Sequence, residues 1–157
     1  MNLGNLHDRH DRAIDHILDF ENTHGLEETI RRLRVFMVSY LGLMEGPLPD
    51  AAREGLAVAK RFIAGEASYP DLETASDRCW TRLKSLDHRY DFSNPENLAI
   101  RAAWCTLSTM PTKTDLRQTI EYFLQFADRI EDHSSEIQTL LERHFGGSSD
   151  QRKAFSK

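Results

Sequence analysis

AAREGLAVAKRFIAGEASYPDLETASDRCW, residues Ala51–Trp80, decides how this chain is built. Ala52, Leu56, Ala59 and Ile63 recur at the four–three spacing of one helix face. Gly65 follows as a natural C′ residue, because glycine alone enters the left-handed region without a Cβ penalty. Ser68 and Tyr69 then precede Pro70, a residue suited to a first helical turn. Leu72, Ala75, Cys79, Leu83 and Leu86 form a second stripe of the same period, with Trp80 beside it. The alanines let two helices approach closely, and no nucleophile, base or ligand set stands at a catalytic spacing. The stretch reads as a packed helical hairpin hinged at Gly65-Glu66-Ala67-Ser68.

Helical periodicity extends in both directions. Upstream, Leu6, Ala13, Ile17, Phe20 and His24 mark one face of a helix over about residues 5–24, with Ile14 and Leu18 beside it and Asn2 or Asn5 as candidate caps. Leu26, Ile30, Leu33, Met37, Tyr40, Leu41 and Met44 mark a second helix, with Glu27 and Glu28 well placed for its dipole. Val35, Phe36, Val38 and Leu43 give that helix another apolar face, so burial on more than one side is expected. Gly46-Pro47-Leu48-Pro49 stops it. Downstream, either Ser93 with Glu96 or Asn94 with Pro95 opens a helix to Ser108 that buries Leu98, Ala102 and Cys105. Leu116, Ile120, Phe123, Ala127, Ile130, Ile137 and Leu141 then predict one long helix over Thr114–Phe145, interrupted in its stripe only by Ser134. Such a helix would be about 45 Å long. The expected architecture is all-α: a single-domain bundle of about six helices over residues 1–147 with a long C-terminal helix, then a disordered tail at 148–157.

A chain of 157 residues buries enough surface to need neither a disulfide nor a structural metal. Cys79 and Cys105 sit among apolar helical positions and are expected as small buried hydrophobes. No run approaches the ~18 apolar residues that span a bilayer, and the first residues lack the apolar core of a secretory signal. A cytoplasmic location without membrane association is therefore expected. The net charge of −5 is unevenly spread. Residues 1–30 carry seven carboxylates against Arg9 and Arg12, and residues 121–142 carry six against Arg129, so each segment alone has a charge of −5. Acidic faces repel phosphate backbones and attract basic partners, which disfavours direct nucleic-acid binding.

His7, Asp8, His10, Asp11, Asp15 and His16 form the cluster richest in metal-ligand types. It lacks HExxH and paired ExxH spacings, and Arg9 and Arg12 interleave with its acids, so a solvated helix face is the simpler reading. Asp87–Asp91, with His88, reads as a structural connector, and no GxSxG elbow accompanies it. Glu131-Asp132-His133 and His144 read as exposed positions on the final helix. Trp80 and Trp104 read as core or core-edge residues, with an interface anchor as the alternative. Phosphate-binding glycine motifs are absent, so neither nucleotide nor any other cofactor is expected.

Ala57–Ser68 (AVAKRFIAGEAS), followed by Asp71–Ala75 and by Asn97–Thr106 (NLAIRAAWCT), resembles the all-helical immunity proteins of bacterial polymorphic-toxin systems. The resemblance extends over Ala51–Phe145; the chain departs from the pattern in having fewer alanines and two developed N-terminal helices. It implies a non-catalytic protein that binds and neutralises a cognate toxin, and supplies no catalytic residues. The acidic segments are independently compatible with a basic nuclease toxin as the partner. The candidate partner-binding residues are Asp8, Asp11, Asp15 and Asp19 on the first helix, and Asp128, Glu131, Asp132 and Glu136 on the last. A helical adaptor for another protein partner and a metal-dependent enzyme using the His7–Asp19 cluster are the alternatives.

Overall fold

In the computed structural model, which describes residues 3–44 and 46–146 with side chains from Asp8 onward, seven α-helices follow one another. They are α1 (Leu3–His24), α2 (Leu26–Leu41), α3 (Asp50–Ile63), α4 (Tyr69–Ser85), α5 (Pro95–Thr106), α6 (Lys113–Ile130) and α7 (Ile137–Phe145). A single 3-10 turn, Ser134–Glu136, separates the last two, and no strand occurs among the described residues. The tail expected from Ser148 onward lies outside those residues.

The helices share two cores. Ala13, Ile17 and Phe20 of α1, Leu33, Phe36, Met37 and Tyr40 of α2, Leu116, Ile120 and Phe123 of α6 and Leu141 and Phe145 of α7 enclose the first. Ala52 and Ala59 of α3, the full α4 stripe of Leu72, Ala75, Cys79 and Leu83, and Ile100 and Ala103 of α5 enclose the second. Val38, Leu48 and Ile130 pack against both. Both apolar faces of α2 are partly covered within the chain: Phe36 and Met37 are each fully buried, while Ile30, Val35 and Val38 are half-buried. Cys79 and Cys105 are buried free thiols, as expected, and burial pushes them up to about 11 and about 12.

Local signals explain the hairpin at the centre of the chain. Gly65 has φ +78°, its N–H reaches Phe62 O at 3.0 Å, and Glu66 N–H reaches Arg61 O at 2.8 Å. These are the paired bonds of a Schellman motif, which satisfy the last carbonyls of α3. Ser68 and Asp71 cap α4 reciprocally: Ser68 N–H donates to Asp71 Oδ2 at 2.8 Å, and the Ser68 hydroxyl accepts from Asp71 N–H. Of the two caps open for α5, the structure uses Asn94, whose Oδ1 accepts from Asn97 N–H at 3.2 Å. Ile63, expected to face inward, is instead 40% exposed at the end of α3.

Gly55 marks the closest approach of α3 to its neighbours. A Cβ there would stand 3.0 Å from Cys79 Sγ and 3.3 Å from Leu107 Cδ1. Gly55→Val is therefore expected to destabilise the chain by about 1–3 kcal/mol through overpacking. Urea unfolding would check this, with Gly55→Ala closer to neutral because its gain in helix propensity offsets the crowding.

The single long C-terminal helix is corrected by the structure. Glu131 adopts an extended conformation (φ −148°, ψ 135°), ending α6 at Ile130. The chain then turns at Asp132, whose Oδ1 accepts Ser134 N–H at 3.0 Å. Long-range bonds hold the turn. Glu131 Oε2 accepts Gly46 N–H at 3.1 Å, and Arg9 Nη1 donates to Ser134 Oγ at 2.8 Å. The interruption of the stripe at Ser134 is where the chain folds back, so that α7 packs on α1 and α2. Arg32 Nη1 donates to His144 O at 3.1 Å, and His16 Nε2 meets Gly146 O at 3.1 Å, both at the C-terminal end of α7.

Candidate functional site

At about 100° per residue, Asp8, Asp11, Asp15 and Asp19 fall within roughly 80° of arc on α1. All four are exposed, opposite the buried Ala13, Ile17 and Phe20. They make a carboxylate ridge about 16 Å long on the solvent side of the helix. The apolar face decides this placement: once it turns inward, the aspartates can only face out.

The second acidic set divides. Asp132 and Glu136 are exposed, Glu131 is half-buried and Asp128 is buried. The expectation that Asp128 belongs to an outer surface is thereby corrected. It lies between α1 and α2, accepting a hydrogen bond from the Tyr40 hydroxyl and sharing another with His10 Nε2. An ionised carboxylate has no proton to give, so Nε2 of His10 carries it. Tyr40 is fully buried, and burial, reinforced by the Asp128 charge, pushes its phenol far above the ordinary value of 10.0. Glu131 and His133 are paired at 3.0 Å, and the His133 ring stands edge-on to Tyr40 with centroids 6.4 Å apart. The Ser134 hydroxyl and N–H, with a smaller contribution from Arg9, hold the Asp132 carboxyl below its usual range. The α6–α7 turn is therefore a knot of carboxylates serving internal bonds, tied to the start of the α1 ridge through Arg9 and His10.

This knot contains what the sequence does not reveal. Tyr40 is legible as a core position, but its polar partner is not. The one available signal is angular: Asp128 lies only about 40° beyond Leu124 at the edge of the apolar arc of α6. Its burial has a consequence at high pH. A tyrosine whose proton is held more tightly in the folded state contributes stability that is complete below the unfolded value of about 10 and is lost as pH rises beyond it. Stability is expected to fall above pH ~10 in the parent chain, and Tyr40→Phe should flatten that part of the profile. Urea midpoints taken between neutral and alkaline pH measure the difference.

His133 and His144, expected on an exposed helix, are partly buried, and His144 stands edge-on to Phe36 at 6.5 Å. Trp80, 41% exposed, stacks on Trp104 with centroids 5.8 Å apart, and Trp104 Nε1 donates to Ser76 Oγ at 2.7 Å. The pair sits at the edge of the second core. Among the described residues, no three His, Cys, Asp or Glu side chains converge to hold a metal ion. The His7 side chain lies outside the described ones. No helix among them is long and apolar enough to cross a membrane.

The chain matches no family model, no curated protein and no solved structure.

Proposed function

We propose that this chain is a non-catalytic binding protein that captures a basic protein partner on the acidic ridge of α1, acting as an immunity protein that neutralises a cognate toxin. The observation that carries the reading is the exposure of Asp8, Asp11, Asp15 and Asp19 on one side of a helix whose other side is anchored in the core. A helix held by packing presents its charges in a fixed array, and a fixed array of like charge steers an oppositely charged surface during encounter. Asp132 and Glu136, exposed on the turn tied to Arg9, extend the same acidic region. Asp128 does not belong to it, because its carboxylate is occupied by Tyr40 and His10. A basic nuclease is the partner that the charge favours, and an inhibitor of this kind would cover the channel that receives the phosphate backbone.

The deciding experiment is co-expression with the product of the gene immediately upstream. A stable complex that rescues growth from that product's toxicity supports immunity. A complex without toxicity or rescue returns the chain to the adaptor reading, and binding that is insensitive to salt removes the acidic ridge from the account.

A further inference from the structure

A second site lies away from the ridge, where α2 faces the α3–α4 corner. Arg34 stands in the middle of α2 and is only 2% exposed, yet it has no carboxylate partner among the described residues. Both of its hydrogen bonds leave from Nη1, to Thr106 O at 2.8 Å and Ser108 O at 3.0 Å, at the C-terminal end of α5. Its Nε is sealed from water and meets no acceptor. The Nε–Nη2 edge grips a carboxylate side-on with two parallel bonds, and here it has no protein acceptor among the described residues. A buried donor on a permanent cation is costly to leave unmade.

The surroundings of that edge have the character of a ligand pocket. Arg34 lines a groove of about 500 Å³ whose apolar side is Ile30, Val35, Phe62, Ile63 and Tyr69 and whose polar side is His24, Glu27, Glu28 and Arg31. The Phe62 ring lies over the guanidinium at 5.0 Å and packs against Tyr69 at 5.1 Å. Tyr69 is 61% exposed and Ile63 40% exposed, so the groove mouth keeps uncovered apolar surface. Glu28, also at the groove, is committed elsewhere: Arg31 holds it at 2.6 Å and Arg32 at 2.7 Å. Apolar side chains beside a few charged groups are the usual make-up of a small-molecule site, and here the two arginines Arg31 and Arg34 stand with the apolar wall.

We infer that this groove binds a small organic monocarboxylate with an aromatic or branched apolar body, its carboxylate on the Nε edge of Arg34 and its body between Phe62, Tyr69 and Ile30. The carboxylate supplies the missing acceptor and the neutralising charge together. Nε is closed to water at rest, so binding includes a side-chain turn at the mouth of the groove. The inference is independent of toxin binding, and its readout does not involve the ridge.

The test uses the whole chain with 15N-labelled arginine, following the Nε–Hε signal of Arg34 during titration with 3-phenylpropionate. A saturable shift is expected, with a dissociation constant on the order of 1 mM for a ligand of this size. 3-Phenylpropionamide, which has the same body without the charge, should bind at least about tenfold more weakly. Inorganic phosphate, which has charge without the body, should do the same. Arg34→Lys keeps the charge but loses the side-on fork; in uniformly 15N-labelled protein the saturable shifts that 3-phenylpropionate causes in the backbone amides of Ile30, Val35, Phe62 and Tyr69 should disappear in this variant, while the other amide signals report an intact fold. Should that variant fail to fold, the titration of the parent chain decides alone. No shift of the Nε signal, an equal response to the amide, or an equal response to phosphate would each overturn the inference.

Discussion

Asp128→Ala is expected to lower the stability of this chain by about 3 kcal/mol, far more than an exposed acidic residue would. The reason is what remains behind. Tyr40 is fully buried, and with the carboxylate gone its hydroxyl loses the acceptor that Asp128 provides. His10 loses the same partner from the α1 side, and its side chain is only 13% exposed. Each donor stranded away from water costs about 1–3 kcal/mol, and a small cavity adds to the loss. Asp128→Asn keeps shape and one acceptor, and an altered His10 tautomer can meet its amide, so a loss nearer 1 kcal/mol is expected. Tyr40→Phe removes a donor instead and leaves the carboxylate with His10, at about 1.5–3 kcal/mol. A double-mutant cycle between Asp128→Ala and Tyr40→Phe should show coupling of at least about 1 kcal/mol, because the second change removes a group that the first had stranded. Urea unfolding with an unchanged m-value is the measurement. Losses within about 0.5 kcal/mol for both alanine and asparagine would mean that the carboxylate does not hold α1, α2 and α6 together.

The network also shows where reading a sequence stops. The α3–α4 hairpin is legible because its determinants are local: Gly65 in the left-handed region, the Ser68–Asp71 capping box, and a stripe from Leu72 to Leu83 that is buried throughout. The exposed ridge of α1 follows from the same logic, since fixing the apolar face fixes its opposite. The break between α6 and α7 is not legible. The local signals in residues 131–136 are only the polar Ser134 in the stripe and the Asp132–Ser134 bond, and the bonds that hold the turn come from Gly46 and Arg9, 85 and 125 residues away in the chain. Asp128 escapes detection for a related reason. Aspartate at the margin of an apolar arc is nearly always solvated, and only a tyrosine arriving from another helix makes its burial favourable. Arg34 is the same case with the sign reversed, a charge on a core helix whose acceptors are carbonyls at the end of α5. Tertiary hydrogen bonds between distant helices thus account for each departure, and one of them removes a residue from the candidate surface.

What is left of that surface is concentrated enough to test in one variant. Reversing Asp8, Asp11, Asp15 and Asp19 to lysine is expected to slow association with the proposed basic partner by roughly 10- to 1000-fold at low salt. The change converts an attractive array into a repulsive one along the same 16 Å or so of helix. Because the four positions are exposed, the fold should tolerate it. Each substitution is worth within about 0.5 kcal/mol. Dissociation should change less than association, since long-range steering acts on encounter. Raising salt shortens the screening length from about 10 Å at 0.1 M to about 3 Å at 1 M, so parent and variant should converge. Glu73 and Asp77 supply the control: both are exposed on α4, outside the ridge. Reversing them tests net charge without touching α1. If that variant slows association as much per charge as the ridge variant, the protein's overall field captures the partner and α1 has no special role. If only the ridge variant is slow, the proposed partner docks where the first helix turns its four aspartates outward.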